Sequence, residues 1–503
     1  MSTSTKYSEW TREQLLERIL ELEKPKRAIP PKSAHSTTES STAGPSKQSG
    51  AKPFTFYDHP RRKIALKFSY AGWEYGGLAF QSDKTPLPTV EGVLFDALAT
   101  AHLVDPEAGL DGCGWERCGR TDRGVSGARQ IVSLWVRSAL PKEELPEADL
   151  RPGPIPTKDS PESLQDDEIT TTISKNPEGV FIPDEIKPQS RNEHDYSSIL
   201  NRLLPDTIRI AAWSPVPSSF SSRFSCTYRH YKYFFSLKDL DIQAMEEGAA
   251  RMVGEHDFRN LCKIDAAKQL TSFKRNVINA YLERLDDNLY VFNLIGSAFL
   301  YHQVRHIMAI LFYIGTGVES PSLVTNLMNV SPGEEPPYGQ DGDYEVVDRK
   351  PEYQMTDGLP LMLWDCGYPE GTFSWRTSGR PNGGPIATGG TLNSRLENIL
   401  VRSQIYSALH RHFHLAAADH HPAPINIFPL SGPAQLAERK GPRDTIDIPL
   451  GGGTFKRMIK YKPVLRRNRL DTVEVTNERW RLRQGAKKGG QQGAAVDSPE
   501  AAS

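Results

Sequence analysis

The chain has 503 residues, a formal net charge of −1 and five cysteines, and 38% of its residues are hydrophobic. No stretch approaches the roughly 18–20 consecutive apolar residues of a membrane span, and the first residues form no apolar leader, so we expect neither a membrane helix nor a signal peptide. Five cysteines without a C-x-x-C pair exclude a disulfide scaffold and favour a reduced, intracellular setting.

The first 55 residues are predicted to be an appendage to the folded protein. Apolar side chains between residues 15 and 22 recur at helical spacing, and a segment rich in Pro, Ser, Thr and Lys runs from residue 24 to about residue 52. This pattern indicates a short helix and a linker. Because so short a helix is not stable alone, docking or a partner contact is favoured over a contact with nucleic acid.

The next part of the chain has the pattern of an α/β domain. Residues 63–70 alternate as a strand, and residues 89–102 place apolar side chains at helical spacing. Residues 129–137 form a second strand after a glycine-rich turn, and residues 208–213 form a third after an interruption. Strand, helix, turn and strand in this order favour an α/β arrangement.

A second ordered block is predicted from residue 216. Its elements are a strand at 228–235, a hairpin of strands at 276–285 and 289–295, a helix at 299–313 and a strand at 360–366. Asp286-Asp287-Asn288 between the paired strands is a good turn signal, and Gly315 suits the C-terminal cap of the helix. Residues 318–351 are predicted to be mostly loop, and residues 393–414 have helical character.

The net charge of the chain is close to zero although two of its segments carry opposite charges. Residues 141–195 hold nine prolines, 14 acidic and 6 basic side chains, which predicts a disordered acidic insertion. Residues 431–490 hold 15 basic and 6 acidic side chains. This basic segment could neutralise the phosphates of a nucleic acid, or it could be a solvated tail or a nuclear-import signal; packing on the core is a further alternative.

The densest chemical signal is the loop Cys118-Gly-Arg-Thr-Asp-Arg-Gly-Val-Ser-Gly127, which lies just before the second strand. The loop places one carboxylate, Asp122, between Arg120 and Arg123. Taken alone, such a cluster is more often a structural turn with a surface ion pair. An aspartate beside two arginines is nevertheless expected to stay ionised, and an ionised carboxylate can act as a nucleophile or a base.

Six segments, in chain order, resemble the TruA-type tRNA pseudouridine synthases. GRTDRGVS at 119–126 is similar to the catalytic motif of that family. The other five are KIALKFSYAGWEYGGLAFQ (63–81), TVEGVLFDAL (89–98), FSSRFSCTYRHYKYFF (220–235), GEHDF (254–258) and GSAFLYHQVRHI (296–307). The GRTD motif alone is weak evidence, whereas six ordered matches are strong evidence.

The resemblance implies that the protein isomerises a uridine in tRNA to pseudouridine. In that reaction the bond from N1 to the sugar is broken, the uracil rotates, and C5 is joined to the sugar. Asp122 matches the essential aspartate of the family; whether it attacks the sugar or the base, or abstracts the 2′ proton, stays open. Arg305 matches the family arginine that pairs with this aspartate. Arg120 matches the arginine that helps the target base out of the stack, and Tyr231 matches the tyrosine that stacks on the uracil.

Three further residues are assigned to substrate binding. Leu300 matches an apolar family position near the base, and Thr121 and Arg123 lie within the catalytic motif. Because the product has the same atoms as the substrate, the resemblance implies no metal, redox cofactor or nucleoside triphosphate. A cluster of histidines invites a metal site, but no cysteine or H-E-x-x-H motif accompanies it, so metal binding is not favoured. The cluster consists of His410, His412, His414, His420 and His421.

The resemblance also implies an α/β (α+β) fold of two related halves, each an antiparallel sheet with helices on one face, with Asp122 in the cleft between them. We therefore divide the chain into four parts after the appendage. These are a first half at 56–215 that contains the insertion, a second half at 216–390, a C-terminal extension at 391–490 and a disordered tail at 491–503.

The resemblance further implies a homodimer that binds tRNA. CGWERCGRTDRGVSG and PLMLWDCGY (360–368) look most like the eukaryotic branch that acts on positions 38 and 39 of the anticodon stem-loop, and we expect the protein in the nucleus and cytoplasm. One alternative is the sister eukaryotic branch, which modifies other tRNA positions and other RNAs. An alternative of another class is a catalytically inactive tRNA-binding protein, against which the intact set of catalytic residues argues.

Overall fold

The structure is a computed structural model. It describes residues 54–83, 85–145, 193–335, 338, 344–377, 392–418, 420–421 and 446–494, with side chains up to residue 484. All elements named below belong to the unit Thr55–Ser503. The predicted N-terminal helix, most of the acidic insertion and residues 495–503 lie outside the described residues.

Eleven strands and eight helices make up the described parts of the chain. The strands are β1 (Arg61–Tyr70), β2 (Glu116–Arg117), β3 (Ser126–Arg137), β4 (Ile208–Pro215), β5 (Tyr228–Ser236), β6 (Gly254–Asp257), β7 (Lys274–Arg284), β8 (Leu289–Gly296), β9 (Leu361–Gly367), β10 (Ile446–Gly451) and β11 (Thr454–Met458). The helices are α1 (Val90–Thr100), α2 (Gly109–Gly112), α3 (Tyr196–Leu203), α4 (Ile242–Ala250), α5 (Gln303–Gly315), α6 (Ser322–Met328), α7 (Leu392–Ala418) and α8 (Val473–Ala494). The predicted strands, the hairpin and α1 are confirmed.

Nine strands form one sheet in the order β4-β1-β3-β9-β5-β8-β7-β6, with β2 attached to β3. All the pairs are antiparallel except β3 with β9. The α/β class and the mostly antiparallel pairing are confirmed. Strand β9, from the second half of the chain, joins the two sets of strands into a continuous sheet. The relation of the two halves to each other stays a prediction.

Helix α1 shows how local sequence sets an element. The Thr89 side chain caps the helix, since its hydroxyl oxygen accepts a hydrogen bond from the Gly92 backbone N–H at 3.2 Å. Val90, Leu94 and Leu98, at helical spacing, are all buried. The cap and the apolar stripe together explain why the helix begins at this point and which face it turns to the sheet.

Helix α5 differs from the prediction at both ends. It begins at Gln303 rather than Phe299 because His302 has a left-handed backbone (φ 60°), which cannot continue a helix. Gly315 is the last residue of the helix, at a place where a β-carbon would overlap Met245, and the left-handed turn falls at Gly317 instead (φ 73°). Nearly every residue of α5 is buried.

Two predicted irregular regions contain ordered structure. The predicted loop at 318–351 includes helix α6. Glu193, inside the predicted insertion, is built into the first half: its carboxylate lies 2.9 Å from Arg62 and accepts a hydrogen bond from the Ser138 hydroxyl at 2.6 Å. The ordered chain therefore extends further at both places than composition alone indicates.

The C-terminal extension packs on the core of the second half. Ile446, Ile448 and Val464 are fully or almost fully buried in the same cluster as residues of α5. Gly451, with φ 82°, closes the β10–β11 hairpin at a place where a β-carbon would overlap the Tyr233 hydroxyl. This part of the basic segment is therefore not a solvated tail, because its alternating apolar side chains are buried. None of the described helices is long and apolar enough to cross a membrane.

Candidate active site

Strand β9 brings the Asp122 loop and the aromatic strand β5 together. Gly127, five residues after Asp122, pairs with Leu363 of β9, and Leu363 pairs in turn with Tyr231 of β5. Neighbouring strands in a sheet lie about 4.8 Å apart. The catalytic motif and Tyr231 therefore lie on either side of one strand, although they are more than a hundred residues apart in the chain.

The backbone around Asp122 is held on both sides. The Thr121 carbonyl accepts a hydrogen bond from the Leu78 N–H at 3.2 Å, and the Thr121 hydroxyl lies 2.7 Å from the buried Tyr70 hydroxyl. After the aspartate, the Val125 N–H donates to the Asp122 carbonyl at 3.1 Å. Gly124 takes the positive φ (83°) that this turn requires. These contacts fix the loop, and they leave the Asp122 side chain 28% exposed to solvent.

Asp122 lies beside the side chains of Arg305, on α5, and of His302, the residue just before α5. Its Oδ2 atom is 3.5 Å from Arg305 Nη1 and 3.1 Å from His302 Nε2. Arg305 is only 14% exposed, and its Nε–H donates to the Thr356 carbonyl at 2.8 Å. The Thr356 hydroxyl in turn donates to the Arg305 carbonyl at 2.9 Å. The guanidinium is thus oriented towards the carboxylate, as the resemblance implies.

His302 is a site residue that sequence reasoning missed. Its side chain is 9% exposed, and its ring lies against that of Tyr301 with the centroids 3.7 Å apart. A left-handed backbone is uncommon for a residue other than glycine, although histidine adopts it more readily than most, and such residues are often found at functional sites. The missed signal was His302 itself, which lies three residues before Arg305 in the segment GSAFLYHQVRHI.

Tyr231 and Leu300 supply the apolar part of the site. Tyr231 is half-buried and meets the Phe299 ring edge-on, with the centroids 5.2 Å apart, whereas Tyr233 and Phe235 on the same strand face are core residues. Burial raises the pKa of Tyr231 well above its ordinary value, so its hydroxyl stays neutral. Leu300 is buried and its N–H donates to the Gln303 side-chain oxygen at 2.8 Å. The stacking role of Tyr231 stays a prediction.

The other motif residues occupy two kinds of position. Arg120 and Arg123 have exposed side chains beside Asp122 in sequence, where they are accessible to a large substrate. Thr121 is buried and contacts Tyr70, a geometry that favours positioning of the loop. The roles predicted for these residues, base extrusion for Arg120 and substrate binding for the other two, stay predictions.

Comparison with known proteins identifies the family. The sequence profile described as tRNA pseudouridine synthase matches residues 249–369, which include His302 and Arg305. The chain is 40% identical over 373 residues to the tRNA pseudouridine(38/39) synthase of Saccharomyces cerevisiae, an alignment that covers 72% of each chain. The chain belongs to the tRNA pseudouridine synthase family.

Two mammalian members of the tRNA pseudouridine synthase family are also similar to the chain. The tRNA pseudouridine(38/39) synthase of Bos taurus is 37% identical over 71% of the chain and 66% of its own length. The human tRNA pseudouridine(38/39) synthase is 36% identical over the same shares. The chain thus spans slightly less than two thirds of these two relatives.

The predicted histidine cluster lies far from this family's motifs in the sequence. His410, His412 and His414 are exposed on α7, and His420 and His421 follow it. Within the described ranges, no group of three His, Cys, Asp or Glu side chains is placed to hold a metal ion. At Asp122, one carboxylate oxygen lies within 3.5 Å of a nitrogen of Arg305 and a nitrogen of His302, and the side chain is 28% exposed; its role as the reactive group stays a prediction.

We predict that His302 acts by positioning the Asp122 carboxylate. His302→Leu should lower single-turnover rate on tRNA by roughly 10²-fold, because one preorganised donor is lost. His302→Gln should keep most of the rate, since the glutamine amide nitrogen can reach the place of Nε2. Leucine and glutamine share the same left-handed backbone penalty, so the pair isolates the contact of a side-chain nitrogen with Asp122 Oδ2. Equal losses in both variants would show that the ring is needed only for folding.

Proposed function

We propose that the protein converts uridine to pseudouridine at positions 38 and 39 of tRNA. The observation that carries this proposal is the contact of Asp122 with Arg305, both at positions that match the family motifs. The identity of 40% to a tRNA pseudouridine(38/39) synthase supports the choice of positions. The reaction is an isomerisation, in which the N1–C1′ bond breaks, the uracil turns, C1′ bonds to C5, and the C5 proton is released as N1 gains one.

Each residue of the site has a separate role in the proposed reaction. Asp122 supplies the carboxylate that reacts, and Arg305 and His302 hold its oxygen in place. Tyr231 offers an aromatic ring to the extruded base, with Leu300 as an apolar neighbour. Extrusion of a base costs a few kcal/mol, and the exposed guanidinium of Arg120 can occupy the space that the base leaves.

The proposed target is tested with two pure transcripts, one with uridine at position 38 and one with uridine at 39. We expect both to be modified whatever the flanking bases, because RNA helices are recognised mainly by shape and backbone. Position 38 ends the loop and position 39 begins the stem, so weak pairing lowers the cost of extrusion at both. Modification only at other positions would instead support the sister branch, and tRNA binding without any modification would support an inactive binding protein.

Two further parts of the proposal concern assembly and location. We propose a homodimer, and the support for it is α7, which exposes a series of apolar side chains along its length. They are Leu396, Leu400, Val401, Ile405, Tyr406, Leu409, Phe413 and Leu415. Exposed apolar surface of this kind is typical of protein–protein contacts, and the mass in solution tests it. We also propose nuclear and cytoplasmic location, which imaging of the tagged full chain tests.

A further inference from the structure

A basic cavity of about 640 Å³ adjoins the Asp122 site. Six cationic side chains line it: Lys263, Lys350, Lys456, Lys460, Lys462 and Arg467. Glu352 is the one carboxylate among the described residues of its wall. His302, which contacts Asp122 at 3.1 Å, also lines the cavity, so the cavity and the catalytic carboxylate share a side chain.

Lys350 differs from the other cations of the cavity wall because it is buried. Lys350 is only 7% exposed; its Nζ donates to the Cys262 carbonyl and lies 3.1 Å from Nε2 of His306. Burial and the nearby Lys350 lower the pKa of His306 to about 2, so the imidazole is neutral. Burial also lowers the pKa of Lys350 to about 8, which leaves it mostly protonated at neutral pH.

No carboxylate in the described part of the chain lies within ion-pair distance of Lys350. A buried charge normally requires a partner of opposite charge, because removal from water is unfavourable. The other cations of the wall add to the positive potential at Lys350 rather than reduce it. The cavity is therefore suited to an anion.

Two distant parts of the chain build this cavity. Lys263 and Lys350 belong to the second half, whereas Lys456, Lys460 and Lys462 belong to β11 and the segment after it. Five of the six cationic side chains of this wall are lysines, which bind phosphate as point charges. A substrate that enters with its target base near Asp122 would pass its adjoining backbone along this wall.

We propose that the cavity binds a backbone phosphate of the tRNA strand, next to the nucleotide that reacts at Asp122. This inference rests on the proposed function. It gives the C-terminal extension a direct part in substrate binding, which follows from the contact of the cavity with His302. It also explains why the extension combines a buried apolar face with a row of exposed lysines.

The first experiment measures the salt dependence of tRNA binding by the full chain. Lys460→Gln with Lys462→Gln removes two exposed charges from the cavity wall. We expect a shallower slope of log affinity against log salt, by about 1, and a roughly tenfold weaker affinity at low salt. The matched control is Arg481→Gln with Arg483→Gln, which removes two exposed charges from α8 outside the cavity. Equal effects of the two double variants would overturn the inference.

The second experiment locates the phosphate. Uncharged methylphosphonate linkages are placed one at a time on both sides of the target uridine in a tRNA anticodon stem-loop. With wild-type protein, we expect one or two linkages to weaken binding; with the Lys460→Gln, Lys462→Gln protein, the same linkages should weaken it much less, because the partners are gone. Fully additive losses at every linkage would overturn the inference.

The same assays separate this inference from the proposed function. Wild-type protein that modifies the tRNA, together with cavity variants that match the α8 control, would overturn the phosphate site alone. Wild-type protein that fails to modify tRNA with uridine at either position would overturn the proposed function, and this inference with it.

Discussion

The Asp122→Asn variant is expected to lose pseudouridine formation by at least about 10³-fold, because a neutral amide can serve neither as a nucleophile nor as a base. The amide has nearly the shape of the carboxylate and can still accept a hydrogen bond from Arg305 or His302. tRNA affinity should therefore stay near that of the wild type. Single-turnover rates with saturating protein, together with equilibrium binding of the same tRNA, measure the two quantities separately.

Asp96→Asn is the matched control for this prediction. Asp96 is exposed on α1, so the same chemical change there should leave both turnover and binding unchanged. If the Asp122→Asn protein keeps a tenth or more of the wild-type rate, Asp122 is not the reactive carboxylate. A parallel loss of tRNA binding would instead assign Asp122 to substrate affinity.

Truncation after Gly453 is expected to abolish cooperative thermal unfolding of the second half. The cut removes Val464, which is fully buried, and takes away the partner strand of β10. It also removes two donors to the half-buried Glu319 carboxylate: the Tyr461 hydroxyl at 2.5 Å and the Val464 N–H at 2.6 Å. Each lost contact lowers the free energy of unfolding by an amount on the order of 1–3 kcal/mol. Together these amounts are much of the ~5–15 kcal/mol by which a typical domain is stable.

Two point variants show whether packing is the cause. Val464→Ala should lower the free energy of unfolding by about 1–3 kcal/mol, whereas Val475→Ala, at an exposed position of α8, should change it little. Thermal unfolding followed by circular dichroism measures both. A truncated protein that unfolds at the same temperature as the full chain, with only tRNA binding weakened, would mean that the extension contributes charge and no stability.

The elements predicted correctly from the sequence are those with a strong local pattern. The β7–β8 hairpin follows from two alternating runs around Asp286-Asp287-Asn288, and α1 follows from its apolar stripe. The start of α5 was predicted four residues too early, because the apolar pattern continues through 299–302 while the backbone turns left-handed at His302. An apolar pattern predicts which side chains are buried, but it does not predict the φ angle of a single residue.

The sequence by itself determined the family and supplied Asp122 as the candidate reactive group, since the motif around Asp122 and the HQVR segment with Arg305 can be read directly from the chain. Only the tertiary structure decided what surrounds Asp122. The hydrogen bond of Thr356 with Arg305, the insertion of β9 between β3 and β5, and the packing of the C-terminal extension join residues far apart in the chain. Such contacts depend on how buried surfaces pack against each other, and local propensity and residue spacing do not predict that packing.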